Sequence, residues 1–180
     1  MTLYKNRYRI KSTRQSHWDY SSDAWYFVTI CTRNRECSLG KIDDDRVQFT
    51  TAGEIVAEEW QLLASIWPNV TTDEVQIMPN HVHGIVVLEE APAETRLRGV
   101  STPNEVRQPT LGTIVRQFKS RSTTRIWAAG FRDFGWQTRF HDHIIRGDRA
   151  LTAIREYIAN NSAKWPLDKE NRANPREPTW

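Results

Sequence analysis

The sequence predicts an α+β domain: an antiparallel sheet with helices packed on one face. Strand-like runs of aromatic and β-branched residues alternate with segments whose apolar residues recur at helical spacing, in the order β-α-β-β-α-β-α. Two adjacent strand-like runs are joined only by Pro79-Asn80, which makes them antiparallel neighbours. The chain has 180 residues, the length of one domain. This element order suits the ferredoxin-like (RRM-like) split β-α-β plan. Many activities share that plan, so function has to come from particular residues.

The first strand is Ala24–Arg33 (AWYFVTICTR). After a turn near Gly40 and an acidic DDD stretch, Thr51–Trp67 reads as a helix. Ile55, Val56, Trp60, Leu63 and Trp67 recur at its period, and Pro68 lies just beyond. Asp73–Met78 and His81–Leu88 (HVHGIVVL) form the tight hairpin, the second strand largely buried. Residues 89–109, rich in Pro, Glu, Arg and Thr, read as a loop. Leu111–Trp127 is a second amphipathic helix, with Leu111, Ile114, Val115, Phe118 and Ile126 inward and Arg116, Lys119, Arg121 and Arg125 outward. Phe140–Arg146 (FHDHIIR) is a strand, and Asp148 is placed to cap a third helix, Arg149–Asn161. Residues 1–22 read as a basic N-terminal arm, 23–165 as the domain, and 166–180 as an irregular tail.

Composition narrows the class. Charged residues make up 26% and hydrophobic residues 38%, which excludes a wholly disordered chain. No apolar run approaches the ~20 residues that a membrane span needs, and the basic N-terminus has no apolar core behind it, so a cytoplasmic (bacterial cytosol, nucleoid-associated) protein is expected. Cys31 and Cys37 are too few for a disulfide scaffold. The net charge of +3 is unevenly spread: residues 1–20 hold five Lys or Arg against one acid, residues 36–94 two against twelve, and residues 96–155 twelve against four. Such blocks point to an anionic partner, or else to a solvated surface.

His81-Val82-His83 is the sharpest local feature. On a strand, side chains two apart share a face, roughly 6.6 Å apart at ~3.3 Å per residue. Both imidazoles can therefore reach one metal ion while Val82 faces the other way; the plain alternative is two hydrogen-bonded polar residues at a strand start. Tyr157 and Asn161, four apart, share a helical face. A tyrosine can act as nucleophile and an amide oxygen as ligand, although core-edge and capping roles are the plainer reading of the two residues alone. His141 and His143 also alternate on a strand, but Asp142 points away from both, so structural roles are expected there.

Together, MPNHVHGIVV, LGTIVRQFKSRSTTRIW, WQTRFHDHIIRGDRAL and IREYIANN resemble the REP-associated tyrosine transposases, single-tyrosine members of the HUH endonuclease superfamily. The likeness runs from about Tyr26 to Asn161 and implies an HUH core on the ferredoxin-like sheet. It implies His81 and His83 as the histidines of the HUH motif, Tyr157 as the catalytic tyrosine and Asn161 as the polar metal ligand one turn later. After that Asn this chain has Ser162-Ala163-Lys164, where the family usually has a Pro-Val-like stretch. The implied activity is metal-dependent cleavage and strand transfer of single-stranded DNA near hairpins, through a 5′-phosphotyrosine, with Mg²⁺ or Mn²⁺ as cofactor. The partner is single-stranded DNA carrying a palindromic hairpin, the protein acting as monomer or homodimer without a membrane. Arg116, Lys119, Arg121 and Arg125, with Lys5, Arg7 and Arg9 of the arm, are the candidate backbone contacts. A non-catalytic single-strand-binding module and a phosphodiesterase using metal-bound water are the rivals.

Overall fold

The computed structural model describes residues 18–89, 109–168 and 170–171. Strand β1 (Ala24–Cys31) runs into a short 3-10 turn, Arg33–Arg35, and then into a hairpin of β2 (Gly40–Asp43) and β3 (Arg46–Phe49). Helices α1 (Thr51–Gln61) and α2 (Leu63–Ile66) follow, then β4 (Val70–Ile77), β5 (His81–Leu88), α3 (Leu111–Ala128), β6 (His141–Ile145) and α4 (Asp148–Ala159). A last 3-10 turn, Trp165–Leu167, ends the series of elements.

Local chemistry explains several boundaries. The Thr50 hydroxyl accepts from Gly53 N at 3.2 Å and starts α1; the Thr110 hydroxyl accepts from Thr113 N at 3.2 Å and starts α3. The expected single helix Thr51–Trp67 is instead two pieces that break at Leu62. The acidic stretch is a hairpin turn: Asp44 and Asp45 take φ of 46° and 58°, left-handed values that aspartate tolerates better than most residues. At α4 the cap position belongs to Gly147, whose φ of 87° excludes most side chains. Asp148 lies in the first turn instead, where its charge favours the helix N-terminus.

The main sheet has the order β4-β5-β1-β6, antiparallel throughout, as the ferredoxin-like plan requires. Tyr26, Val28 and Ile30 of β1 and Val82, Val86 and Leu88 of β5 point to one face. They pack there against Val56 and Trp60 of α1 and Ile114, Phe118 and Ile126 of α3. Phe27, Ile85, Val87 and Ile145 point to the other, under Leu151, Ile154 and Ile158 of α4. The expectation of helices on one face therefore holds for α1 and α3, and α4 departs from it. The reason lies in β5, which is buried at all eight positions, so its second face also needs apolar cover. A two-pronged Arg155–Asp73 ion pair, 2.7 and 2.6 Å, ties α4 to β4.

Gly84 is required by the contact between β5 and α1. A Cβ built there would lie 2.3 Å from Trp60 Cζ2 and 2.6 Å from Cη2, and Trp60 is itself buried between α3 and the sheet. We expect Gly84→Ala to destabilise the protein by about 1–3 kcal/mol through overpacking. A lower urea midpoint with an unchanged slope would show this; an unchanged midpoint would mean that Trp60 can shift freely.

Candidate metal and nucleophile site

The α4 face of the sheet carries the site. His81 and His83 are buried there, with ring centroids 4.3 Å apart. His81 Nδ1 lies 2.9 Å from Asn80 Oδ1. The Asn80 amide nitrogen donates to two carbonyls, Arg35 O at 3.1 Å and Glu170 O at 2.8 Å, which identifies Oδ1 as the acceptor. His81 therefore donates through Nδ1, and its Nε2 faces Asp168. His83 Nδ1 lies 2.9 Å from the Thr29 hydroxyl, its cross-strand neighbour in register. An imidazole held through Nδ1 by a polar partner is how proteins orient a histidine to ligate through Nε2.

Tyr157 reaches the same place from α4. Its hydroxyl is 3.2 Å from His83 Nε2, and its ring meets the Phe27 ring edge-on at 6.0 Å between centroids. Burial raises the Tyr157 pKa above its ordinary value and the Asp168 carboxylate raises it further, while a hydrogen bond from Asn161 opposes both. The residue thus stays a neutral phenol at physiological pH. Asn161 is buried, and its Oδ1 has no hydrogen-bond partner among the described residues. Phe27, Thr29, His83, Tyr157 and Asn161 line one cleft of about 460 Å³, with Lys164, Leu167 and Asp168 on its C-terminal side.

Asp168 is the residue that sequence reasoning missed. Just past α4 the chain lies over the site: Trp165 packs over His81, with ring centroids 6.1 Å apart, and Asp168 Oδ2 comes within 3.8 Å of His81 Nε2. Ligand atoms of His81, His83 and Asp168, all three residues buried, lie within 4.8 Å of one another. Two ligands of one ion, each about 2.1 Å from it, lie about 3–4 Å apart, so small adjustments close the set. The available signal was the Trp165-Pro166 pair just past α4, which turns the chain. His141 and His143 lie on the same face of the sheet but are exposed, and they do not join this group.

The cations of the basic helix face outward, as the sequence predicts, and three of them have partners within the fold. Packed on the opposite face of the sheet, α3 directs Arg121 and Arg125 to Glu59 of α1, a carboxylate only 1% exposed, at 2.7 and 3.0 Å. Arg125 also pairs with Glu58 at 2.5 Å. Lys119 donates to the carbonyls of Gln137 and Arg139 at 2.8 and 3.0 Å, and burial pushes its pKa down to about 8. Arg116 is exposed and unpaired among the described residues. Lys5, Arg7 and Arg9 lie outside the described residues. None of the α3 cations lines the cleft.

No protein-family model matches the chain. An uncharacterized protein of Haemophilus influenzae is 36% identical over 166 residues, a match that covers 88% of this chain and 91% of the relative. The solved structure of the REP-associated tyrosine transposase bound to a REP hairpin superposes with a TM-score of 0.56 at 22% identity, covering 84% of this chain and 74% of that one. The architecture is that of a REP-associated tyrosine transposase, in agreement with the sequence resemblance. No helix among the described residues is long and apolar enough to cross a membrane.

Proposed function

We propose that this chain, which belongs to one family with the Haemophilus influenzae protein and has the fold of a REP-associated tyrosine transposase, is a metal-dependent single-stranded DNA endonuclease and strand transferase. The observation that carries this reading is the Tyr157 hydroxyl 3.2 Å from His83 Nε2, in a cleft shared with Asn161 and Asp168. A binding module has no use for a half-buried phenol beside two oriented imidazoles. DNA hairpins are the proposed substrate because the structural neighbour is bound to one and the sequence motifs imply the same.

His81 and His83 through Nε2, Asn161 through Oδ1 and Asp168 through a carboxylate oxygen would hold the ion. The donor set fits, since the buried Asn161 oxygen has no hydrogen bond among the described residues and each imidazole is already held at Nδ1. A divalent ion there, Mg²⁺ or Mn²⁺, supplies Lewis-acid polarisation of a phosphodiester, Mn²⁺ suiting the imidazoles better.

The protein's own residues do the rest. Phe27 and His83 fix the tyrosine ring, so its hydroxyl is aimed into the cleft before substrate arrives. The Tyr157 oxygen forms a bond to phosphorus and the bond to the 3′ oxygen breaks, leaving a 5′-phosphotyrosine and a free 3′-hydroxyl. Since the phenol is neutral, its proton leaves as the bond forms, and the net step delivers one proton to the departing 3′ oxygen, which becomes the hydroxyl. The phosphodiester energy is kept in the covalent link, so a second 3′-hydroxyl can reverse the step and join a new end. Arg116 and the arm residues Lys5, Arg7 and Arg9 are the proposed phosphate contacts. Arg121, Arg125 and Lys119 contribute only if their internal partners release them.

A denaturing gel of the protein incubated with a hairpin oligonucleotide and Mn²⁺ tests the reading. A band of protein-linked DNA, absent when the metal is chelated, is expected. Cleaved DNA without that band would favour hydrolysis by metal-bound water, and no cleavage would favour a binding module.

A further inference from the structure

The carboxylate at His81 does not stand there unaided. Asp168 Oδ1 accepts from the backbone N–H of Glu170 at 2.7 Å, which turns the other oxygen, Oδ2, toward His81 Nε2. Glu170 is in turn buried, and its side chain meets Arg35 Nε at 2.5 Å and the Cys31 thiol at 3.6 Å. The thiol is a donor here: burial and the Glu170 charge push its pKa up to about 12. The Glu170 carbonyl accepts from the Asn80 amide, whose Oδ1 orients His81. Arg35 reaches this position from the loop after β1, where Asn34 and Arg35 both hold a left-handed φ of 54° and the Arg35 carbonyl also binds Asn80.

A buried carboxylate is tolerated only when paired and hydrogen-bonded. Glu170 meets both conditions only while the C-terminal segment is docked against β1 and Asn80. Docking and the placement of Asp168 are therefore a single event. We propose that the Arg35–Glu170 ion pair is a latch that delivers Asp168 to the metal as an acidic ligand, with Arg35 and Glu170 as positioning residues. The proposal rests on the reading of His81 and His83 as metal ligands. It implies that the tail completes the site rather than merely covering it.

Calorimetric titration of the full chain with Mn²⁺ alone, without DNA, tests the latch, with the thermal midpoint of each variant recorded beside it. Glu170→Gln keeps the side-chain volume and loses the ion pair. It should weaken Mn²⁺ binding about tenfold or more, the usual scale for a partner that orients a ligand. Arg35→Gln, which breaks the same pair from the other side, should match it. Asp168→Asn should weaken binding at least as much, and adding Glu170→Gln to it should cause no further loss, because both act through one carboxylate. Unchanged affinity in Glu170→Gln and Arg35→Gln, or additive losses in the double variant, would overturn the latch. So would faster cleavage of hairpin DNA by Glu170→Gln, which would make the segment an inhibitory cover. Should His83→Ala abolish Mn²⁺ binding while the latch variants keep it, the latch alone fails. Should His83→Ala itself keep Mn²⁺, the metal reading fails with it.

Discussion

Tyr157→Phe binds hairpin single-stranded DNA as tightly as the native chain and yields no covalent product. The ring contacts on Phe27 and His83 need only the aromatic carbons, so phenylalanine preserves them. The hydroxyl's contacts with His83, at 3.2 Å, and with Asn161 are lost from a side chain that is 37% exposed, which alters stability by about 1–2 kcal/mol. The reaction loses its nucleophile outright, and cleavage should fall by about 10⁴-fold or more. A denaturing gel for the adduct, alongside a filter-binding curve for affinity, separates the two effects. Appreciable cutting by the variant would transfer the chemistry to water.

His83→Ala removes both Mn²⁺ binding and cleavage, whereas His141→Ala and His143→Ala keep both. His83 sits between the Thr29 hydroxyl and the Tyr157 hydroxyl, so its loss also releases the two groups that frame the cleft. Leaving the buried Thr29 hydroxyl without that partner costs about 1–3 kcal/mol, and the thermal midpoint must be read beside the calorimetry. Asn161→Ala is the cleaner control. The Asn161 oxygen makes no hydrogen bond among the described residues and its amide bonds only the half-exposed Tyr157 hydroxyl, so its removal should weaken metal affinity and leave the fold intact. Loss of the metal in His141→Ala with retention in His83→Ala would place the ion at the other histidine pair.

Much of this site is legible in the sequence because its parts lie on regular elements. The two-residue period of β5 puts His81 and His83 on one face, and the helical period puts Tyr157 one turn before Asn161. The apolar run HVHGIVVL also announces a strand buried on both sides, a cue to covering helices on both faces that the one-face expectation passed over. The α3 cations show where local pattern stops. Arg121 and Arg125 look like a free basic face until Glu59, more than sixty residues earlier, is folded against them. Asp168 is hidden for the same reason. Nothing in a polar, Pro-containing stretch reveals that the Glu170 carbonyl will be caught by Asn80, ninety residues away. The β2–β3 hairpin lacked an Asn-Gly or Asp-Gly pair, and two aspartates supply the left-handed turn instead.

The sequence separations within the site also bear on the order of its assembly during synthesis. His83 and Tyr157 are 74 residues apart, and Cys31 meets Glu170 across 139. Long closures of this kind come after local contacts have formed, since the ends cannot meet until both exist and the chain between them is compact. The β1–β5 pairing and the packing of α1 need nothing beyond residue 88, so a scaffold can form while the rest is still on the ribosome. Tyr157 arrives only with α4, and Asp168 follows after it. A chain halted before α4 therefore holds both imidazoles without the phenol proposed as the nucleophile.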